Sequence, residues 1–406
     1  MPKLLFLLLV SFLLVACNND ESSGLPETPE VVLPANLAWQ VPLNPDSSYH
    51  SSAIAPLIAG DRILYAARSS SNTIAGEALH CVDTEGHPLW TWNDYVESLR
   101  SNVIDAAAVT ATTVVIRAGA HYYGINLNDG STRWHQIVYA RSEGPMVAFE
   151  GRCYQRFATN GENGFDGASI RYFDALTGTL TRVVGQWDLQ GCDVHYSTPT
   201  LARGADGAAR MYYTSYACAT DSTQGFIRHH AYNEVTGSTD YSLSTDLVDQ
   251  RGLAAPLLTE DRVVKLHNDW VECRSRATGE LLWTKAWRLG FSSTIEQLVQ
   301  FDNLIIWQKG SHVIALALAT GETMWERDDA PGKLVVDAPY AVYTNYVLWS
   351  VNAATGEATE RTAAFNDYLD FSFYRADYRD GAVIDAERDR LYTSDGFFLI
   401  ALNLPL

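Results

Sequence analysis

Short apolar runs alternate along this chain with small polar turns. His312-Val-Ile-Ala-Leu-Ala-Leu318 leads into Thr320-Gly321, and Gly124-Ile-Asn-Leu127 leads into Asp129-Gly130; the run after each turn carries an aromatic. A strand, a turn whose glycine needs positive φ and a second strand make a β-hairpin. The glycines of these turns recur: Gly86, Gly130, Gly178, Gly237, Gly279, Gly321 and Gly356 lie at spacings of 44, 48, 59, 42, 42 and 35 residues. Trp90, Trp134, Trp283 and Trp325 stand four residues past their glycines. Tyr241 takes that place after Gly237, while Arg182 and Glu360 take it after Gly178 and Gly356.

A second hairpin precedes the first in each period. Ala55-Pro-Leu-Ile-Ala-Gly-Asp-Arg-Ile-Leu-Tyr65 parallels Ala255-Pro-Leu-Leu-Thr-Glu-Asp-Arg-Val-Val-Lys265, and Phe301-Asp-Asn-Leu304 and Arg388-Asp-Arg-Leu391 repeat its turn. Four short antiparallel strands at this period describe one blade of a β-propeller. The fold class expected is therefore all-β. An eight-bladed propeller over residues 36–406 follows from seven full units plus one shared between the ends: Asn36-Leu-Ala-Trp39 supplies the outer strand to the blade begun near Gly381. That arrangement removes two exposed sheet edges. Seven blades is the alternative if the compact unit around Gly356 is degenerate. The tryptophans are expected to fill the widening gaps between adjacent blades, and so to be structural.

The N-terminus changes the picture from fold to place. Lys3 is followed by an apolar run from Leu4 to Ala16, broken only by Ser11. Thirteen residues are too few to span a bilayer, which takes about 20, so the run reads as an export signal. It ends in Leu14-Val15-Ala16-Cys17, which resembles the bacterial lipobox; the resemblance implies lipidation of Cys17 and domain limits of 1–17 for the signal. Residues 18–35 carry four acidic residues, no basic one and three prolines, a composition for a disordered tether. Asn18 after the cysteine favours the outer membrane by the same resemblance, and Asp20 and Glu21 are similar to a surface-export tag, so the leaflet stays open. A net charge of −19 excludes nucleic acid as a partner and leaves the lipid anchor as the only membrane contact.

Ile314-Ala-Leu-Ala-Leu-Ala-Thr-Gly-Glu-Thr-Met-Trp325 and Arg276-Ala-Thr-Gly-Glu-Leu-Leu-Trp283 resemble the repeat of the PQQ-like propeller superfamily. Within it, an outer-membrane lipoprotein of this length looks most like the propeller subunit of the β-barrel assembly machinery, which implies a non-catalytic scaffold for envelope proteins. The quinoprotein dehydrogenases of the superfamily hold their cofactor with a vicinal Cys-Cys pair, absent here.

Beyond Cys17 there are five cysteines. Cys192 and Cys218 belong to loops expected on one face, and a bridge would close a loop of about 26 residues worth roughly 3 kcal/mol; two buried thiols is the other reading. Cys81 and Cys273 occupy equivalent third-strand positions and read as small core residues. His50 and His195 each precede an inner strand but lie in distant blades without a third ligand, so no metal is expected there. Ala158–Gly167 is oxygen-rich yet lacks calcium-loop spacing. Ala363–Asp380 interleaves Phe365, Tyr368, Phe371, Phe373, Tyr374 and Tyr378 with four aspartates, either a partner surface or a cap over the channel. No catalytic residue set and no cofactor motif is present: GxSxG, HExxH and the Walker run are all missing. Two functions remain: a lipid-tethered scaffold docking envelope proteins, and a quinone- or sugar-binding propeller.

Overall fold

The computed structural model describes residues 36–43, 54–68, 77–96, 103–140, 142–158, 168–185, 194–218, 225–245, 255–267, 270–287, 296–309, 312–328, 333–337, 340–344, 348–360, 381–394 and 396–404. Among them every regular element is a β-strand. The strands form seven four-stranded sheets and one of five strands, each built from consecutive segments paired antiparallel, with one exception at the chain ends.

The second sheet shows why the pattern folds this way. Its middle strands, Thr113–Ala118 and His121–Asn126, are buried along nearly their whole length. Val114 and Ile116 pack against Leu64 and Leu79 of the first sheet, while Val115 and Tyr122 pack against Cys153 and Phe173 of the third. A sheet covered on both faces needs apolar residues at successive positions, not at alternate ones. That is the origin of the short continuous apolar runs. The outer strand, Thr132–Ile137, is polar and half-exposed.

The first strand of each sheet, and in the fourth Thr200–Arg203, touches its counterpart in the next, and Ala382–Asp385 of the last sheet touches Leu57–Ala59 of the first. In that last sheet Leu37–Pro42 is hydrogen-bonded to Phe398–Asn403, with Trp39 opposite Ala401 and Pro42 opposite Phe398. Leu43 N–H donates to Phe397 O at 2.8 Å and Asn403 N–H to Asn36 O at 2.7 Å, extending the pairing at both ends.

One expectation needs correction. The fourth sheet is not four-stranded: Val194–Tyr196 and Thr200–Arg203 both pair with the ten-residue strand Ala209–Cys218. The inner strand is interrupted at Ser197, whose hydroxyl accepts the Thr214 N–H at 2.9 Å, and Pro199 has no N–H to continue the ladder.

Candidate functional site

The recurrent tryptophans act across the seams between sheets. Trp39, Trp90, Trp134, Trp283 and Trp325 each donate the indole N–H to a backbone carbonyl of the following sheet, at 2.7 to 3.0 Å. Each ring also lies on the turn glycine of that following sheet. A Cβ at Gly86, Gly130, Gly178, Gly321 or Gly356 would stand 2.6–2.8 Å from it, closer than atoms can approach. Opposite each indole, on its own sheet, the register places a small residue: Ala401, Cys81, Gly124, Cys273 and Ala315. Cys81 and Cys273 are thus small residues making room for a ring, and burial pushes their thiols up to about 12 and about 11.

Several expected site residues cannot be placed against this frame. Cys17, His50, Cys192, most of the loop 158–167 and the aromatic segment Phe365, Tyr368, Phe371, Phe373, Tyr374 and Tyr378 lie outside the described residues. Cys218 ends a described strand, and its side chain, like those of His195 and Glu360, is outside them. Among the described residues no helix is long and apolar enough to cross a membrane.

The two seams flanking the fourth sheet are built differently. Arg182 replaces the indole before Gly237, and a Cβ there would meet only the Tyr232 hydroxyl at 3.7 Å. This seam is held instead by Glu234, whose Oε2 accepts from Arg152 at 2.9 Å and from the Tyr154 hydroxyl at 2.7 Å. At the next seam Tyr241 lies on Gly279, and its hydroxyl finds no hydrogen-bond partner among the described residues. A groove of about 990 Å³ opens at the rim there, lined by Arg203, Arg210, Tyr212, Asp240, Arg262 and Arg276 among others. Several of its charges are paired: Arg210 holds Asp206 and Asp240, and Arg203 holds Glu150.

Deeper in the same seam lies a buried polar cluster that the sequence reading missed. His229 of the fourth sheet and Lys265, His267, Glu272 and Arg274 of the fifth face one another where other seams carry aliphatics. His229 Nε2–H donates to Glu272 Oε1 at 2.7 Å, and Arg274 grips both carboxylate oxygens at 2.8 and 3.2 Å. His267 Nε2 stands 3.9 Å from Oε1, its ring stacked on Trp270 at 3.7 Å between centroids. Burial acts upward on Glu272, but His229, His267 and Arg274 outweigh it and hold the carboxyl well below its usual range. Burial, then the neighbouring Lys265, pushes His229 down to about 3. Lys265 is the costly member. Its side-chain nitrogen is fully buried with no hydrogen-bond partner among the described residues, and burial drives it far below the usual lysine range. An orphaned buried polar group costs roughly 1–3 kcal/mol, so Lys265→Met should stabilise the chain by about that much in denaturant titration. No gain, or a loss, would show that the amine is satisfied. The signal was available in Val263-Val-Lys265-Leu-His267, where one face of a buried strand carries Lys and His.

On the opposite face of the His229 strand, Gly225–Asn233, His230 accepts or shares a hydrogen bond with Ser215 Oγ at 2.8 Å and stacks on Tyr213 at 4.5 Å. Burial first, then Lys265 and Arg228, lowers it to about 3. The unfolded chain takes this proton near pH 6.5 and the folded chain only near 3. Stability is therefore full above about pH 6.5 and falls by up to about 1.4 kcal/mol per pH unit below it. Melts across that window should show a shallower decline in His230→Gln; an unchanged slope would contradict the assignment.

The family model described as outer membrane protein assembly factor BamB matches residues 35–163 and 166–368. The chain belongs to the BamB family. Membership covers the repeats with intact tryptophans and the eroded ones alike, including the split fourth sheet. Among solved structures, BamB from Moraxella catarrhalis superposes with a TM-score of 0.56 at 16% identity, covering 88% of this chain and 96% of that one. The computationally designed protein Ika8 gives 0.57 at 14% identity, covering 89% and 99%. These likenesses show a shared propeller fold. No curated protein sequence matches the chain. The family and the fold together make it a PQQ-like repeat propeller of the kind suited to protein interaction.

Proposed function

We propose that this chain is a lipid-anchored, non-catalytic scaffold of the bacterial outer membrane, docking protein partners that assemble outer-membrane proteins. The observation that carries the reading is the family match, because it runs through the repeats themselves and its family is described as an outer-membrane assembly factor. In this reading residues 1–17 are the signal and lipobox, Cys17 carries the lipid and residues 18–35 are the tether. The eight sheets are eight blades of one ring over residues 36–406, closed by Leu37–Pro42. The contacts between successive first strands, and between the last sheet and the first, support that count. Seams locked by indoles give a rigid frame, which suits a platform whose loops vary. Ala363–Asp380, with six aromatics among four aspartates, is the docking surface in this reading.

Crosslinking in intact cells, followed by identification of what is captured with the chain, tests the partner. Recovery of outer-membrane assembly proteins, lost when Phe371, Phe373 and Tyr374 are changed to Ser, is the expected result. A reproducible blank from the anchored wild type would overturn it. Cys17→Ser should move the protein from the membrane to the soluble fraction and abolish labelling by a fatty-acid analogue. Unchanged fractionation and labelling would remove the anchor from the proposal.

A further inference from the structure

We infer that His229, His267 and Glu272 form a binding site for one divalent late first-row transition ion, of the zinc class, which ties the fourth sheet to the fifth. The donor atoms of the three side chains all lie within 4.8 Å of one another. Two imidazoles and one carboxylate are a donor set that such ions take, at about 2.0–2.2 Å per bond. Two donors on one tetrahedral ion then stand about 3.4 Å apart. The separations of 2.7 and 3.9 Å from Glu272 Oε1 bracket that spacing, so on binding the shorter pair opens and the longer ones, the widest within 4.8 Å, close.

A second observation points to a ligand. His267 is 1% exposed, yet neither ring nitrogen has a hydrogen-bond partner among the described residues. Buried polar atoms in native proteins are nearly always satisfied, and an imidazole lone pair aimed at a carboxylate and a second imidazole is a ligand's position. The stack on Trp270 fixes the ring plane, as outer-shell contacts do at metal sites.

Electrostatics sets the terms. Burial disfavours the charged form of Lys265, which lies opposite Glu272 in the ladder. Arg274 places a positive charge beside the ion; it donates to Glu272 Oε1 at 2.8 Å, to Oε2 at 3.2 Å and to Gly279 O at 3.0 Å, and a carboxylate has lone pairs for a guanidinium and a metal together. The ion would also displace the proton that His229 Nε2 now gives to Oε1. Because the donors come from two sheets and are sealed from water, the ion enters as the seam forms, and its binding adds to folding stability. It would do for this seam what the indoles do for five others.

Cobalt(II) is the probe, because its visible bands report coordination. The full chain is freed of metal with a chelator. Cobalt is then offered both to the folded protein and during refolding, and retained metal is measured after gel filtration. One ion per chain is expected, with visible bands of low coordination number and a raised melting temperature. Lys265→Met should keep the ion and His267→Ala should weaken binding by at least about tenfold. His267→Cys should retain the ion and add a thiolate-to-cobalt charge-transfer band in the near ultraviolet. Failure of the wild type to retain cobalt by either route overturns the proposal. So does undiminished uptake by His267→Ala, which would place the metal elsewhere. Should His267→Ala not fold, bands in His267→Cys identical to wild type, with no charge-transfer feature, overturn it equally.

Discussion

Gly178→Ala is expected to destabilise the chain by about 2–5 kcal/mol, whereas Gly237→Ala, one sheet further on, should cost only about 1–2 kcal/mol. Both glycines end the same turn with positive φ, +75° and +67°. The backbone penalty for any L side chain is therefore shared, at roughly 1–2 kcal/mol. What differs is the neighbour. At Gly178 the new Cβ would sit 2.6 Å from Cδ2 of Trp134, so the indole must move. Moving it breaks the 2.9 Å bond to Ala175 O and opens the packing against Phe173, a further 1–3 kcal/mol or so. At Gly237 the preceding sheet offers Arg182 instead of an indole, and nothing but the Tyr232 hydroxyl is near. Denaturant titration of the two variants separates the terms, and a cycle with Trp134→Ala isolates the clash: in that background Gly178→Ala should cost no more than Gly237→Ala. Equal losses at the two glycines in the wild-type background would mean that the indole is not what the glycine serves.

The comparison also says what was legible in the chain and what was not. Gly130 and Trp134 advertise the repeat because they are four residues apart in one hairpin, and the antiparallel four-stranded sheets and the propeller class follow from that spacing. Their physical partnership runs the other way, Trp134 to Gly178 in the next sheet, and no local spacing displays it. Local pattern also hid the break in the fourth sheet. There Val194–Tyr196 and Thr200–Arg203 share the place of one inner strand, and Ser197 between them is bound sideways to Thr214. The cluster of His229, His267 and Glu272 shows in the sequence only as Lys265 and His267 on one buried strand, for the same reason. Its members are ordinary strand residues in three different strands, and only the stacking of two sheets converts them into one site. His50 and His195 drew attention by their matching local context, which reports a repeated position and not a shared space.

Deleting residues 36–43 should leave a chain with no cooperative unfolding transition, and moving the same residues to follow Leu406 should restore one. The stretch is short, but three kinds of contact depend on it. Leu37–Pro42 supplies the ladder partner of Phe398–Asn403, so its loss bares a whole apolar edge, the feature that drives sheet-to-sheet aggregation. Trp39 carries the seam to the first sheet, lying on Gly86 and donating to Thr84 O at 2.7 Å. Leu43 joins Ile63, Tyr65 and Val82 of the first sheet and Tyr392, Leu399 and Ala401 of the last in one buried cluster. Trp39→Ala alone should cost about 3–5 kcal/mol by the lost ring and the cavity it leaves. That is a large share of the roughly 5–15 kcal/mol by which domains are stable, and deletion removes the strand as well. The transplant separates closure from mere length. Leu37–Pro42 runs antiparallel to the strand that ends at Asn403, so a short hairpin from Leu406 can return it to the same register. Calorimetry and size exclusion on the three chains decide the matter. A deleted chain that melts like the wild type as a monomer would mean that the last sheet is complete without Leu37–Pro42, and the proposed closure would fail.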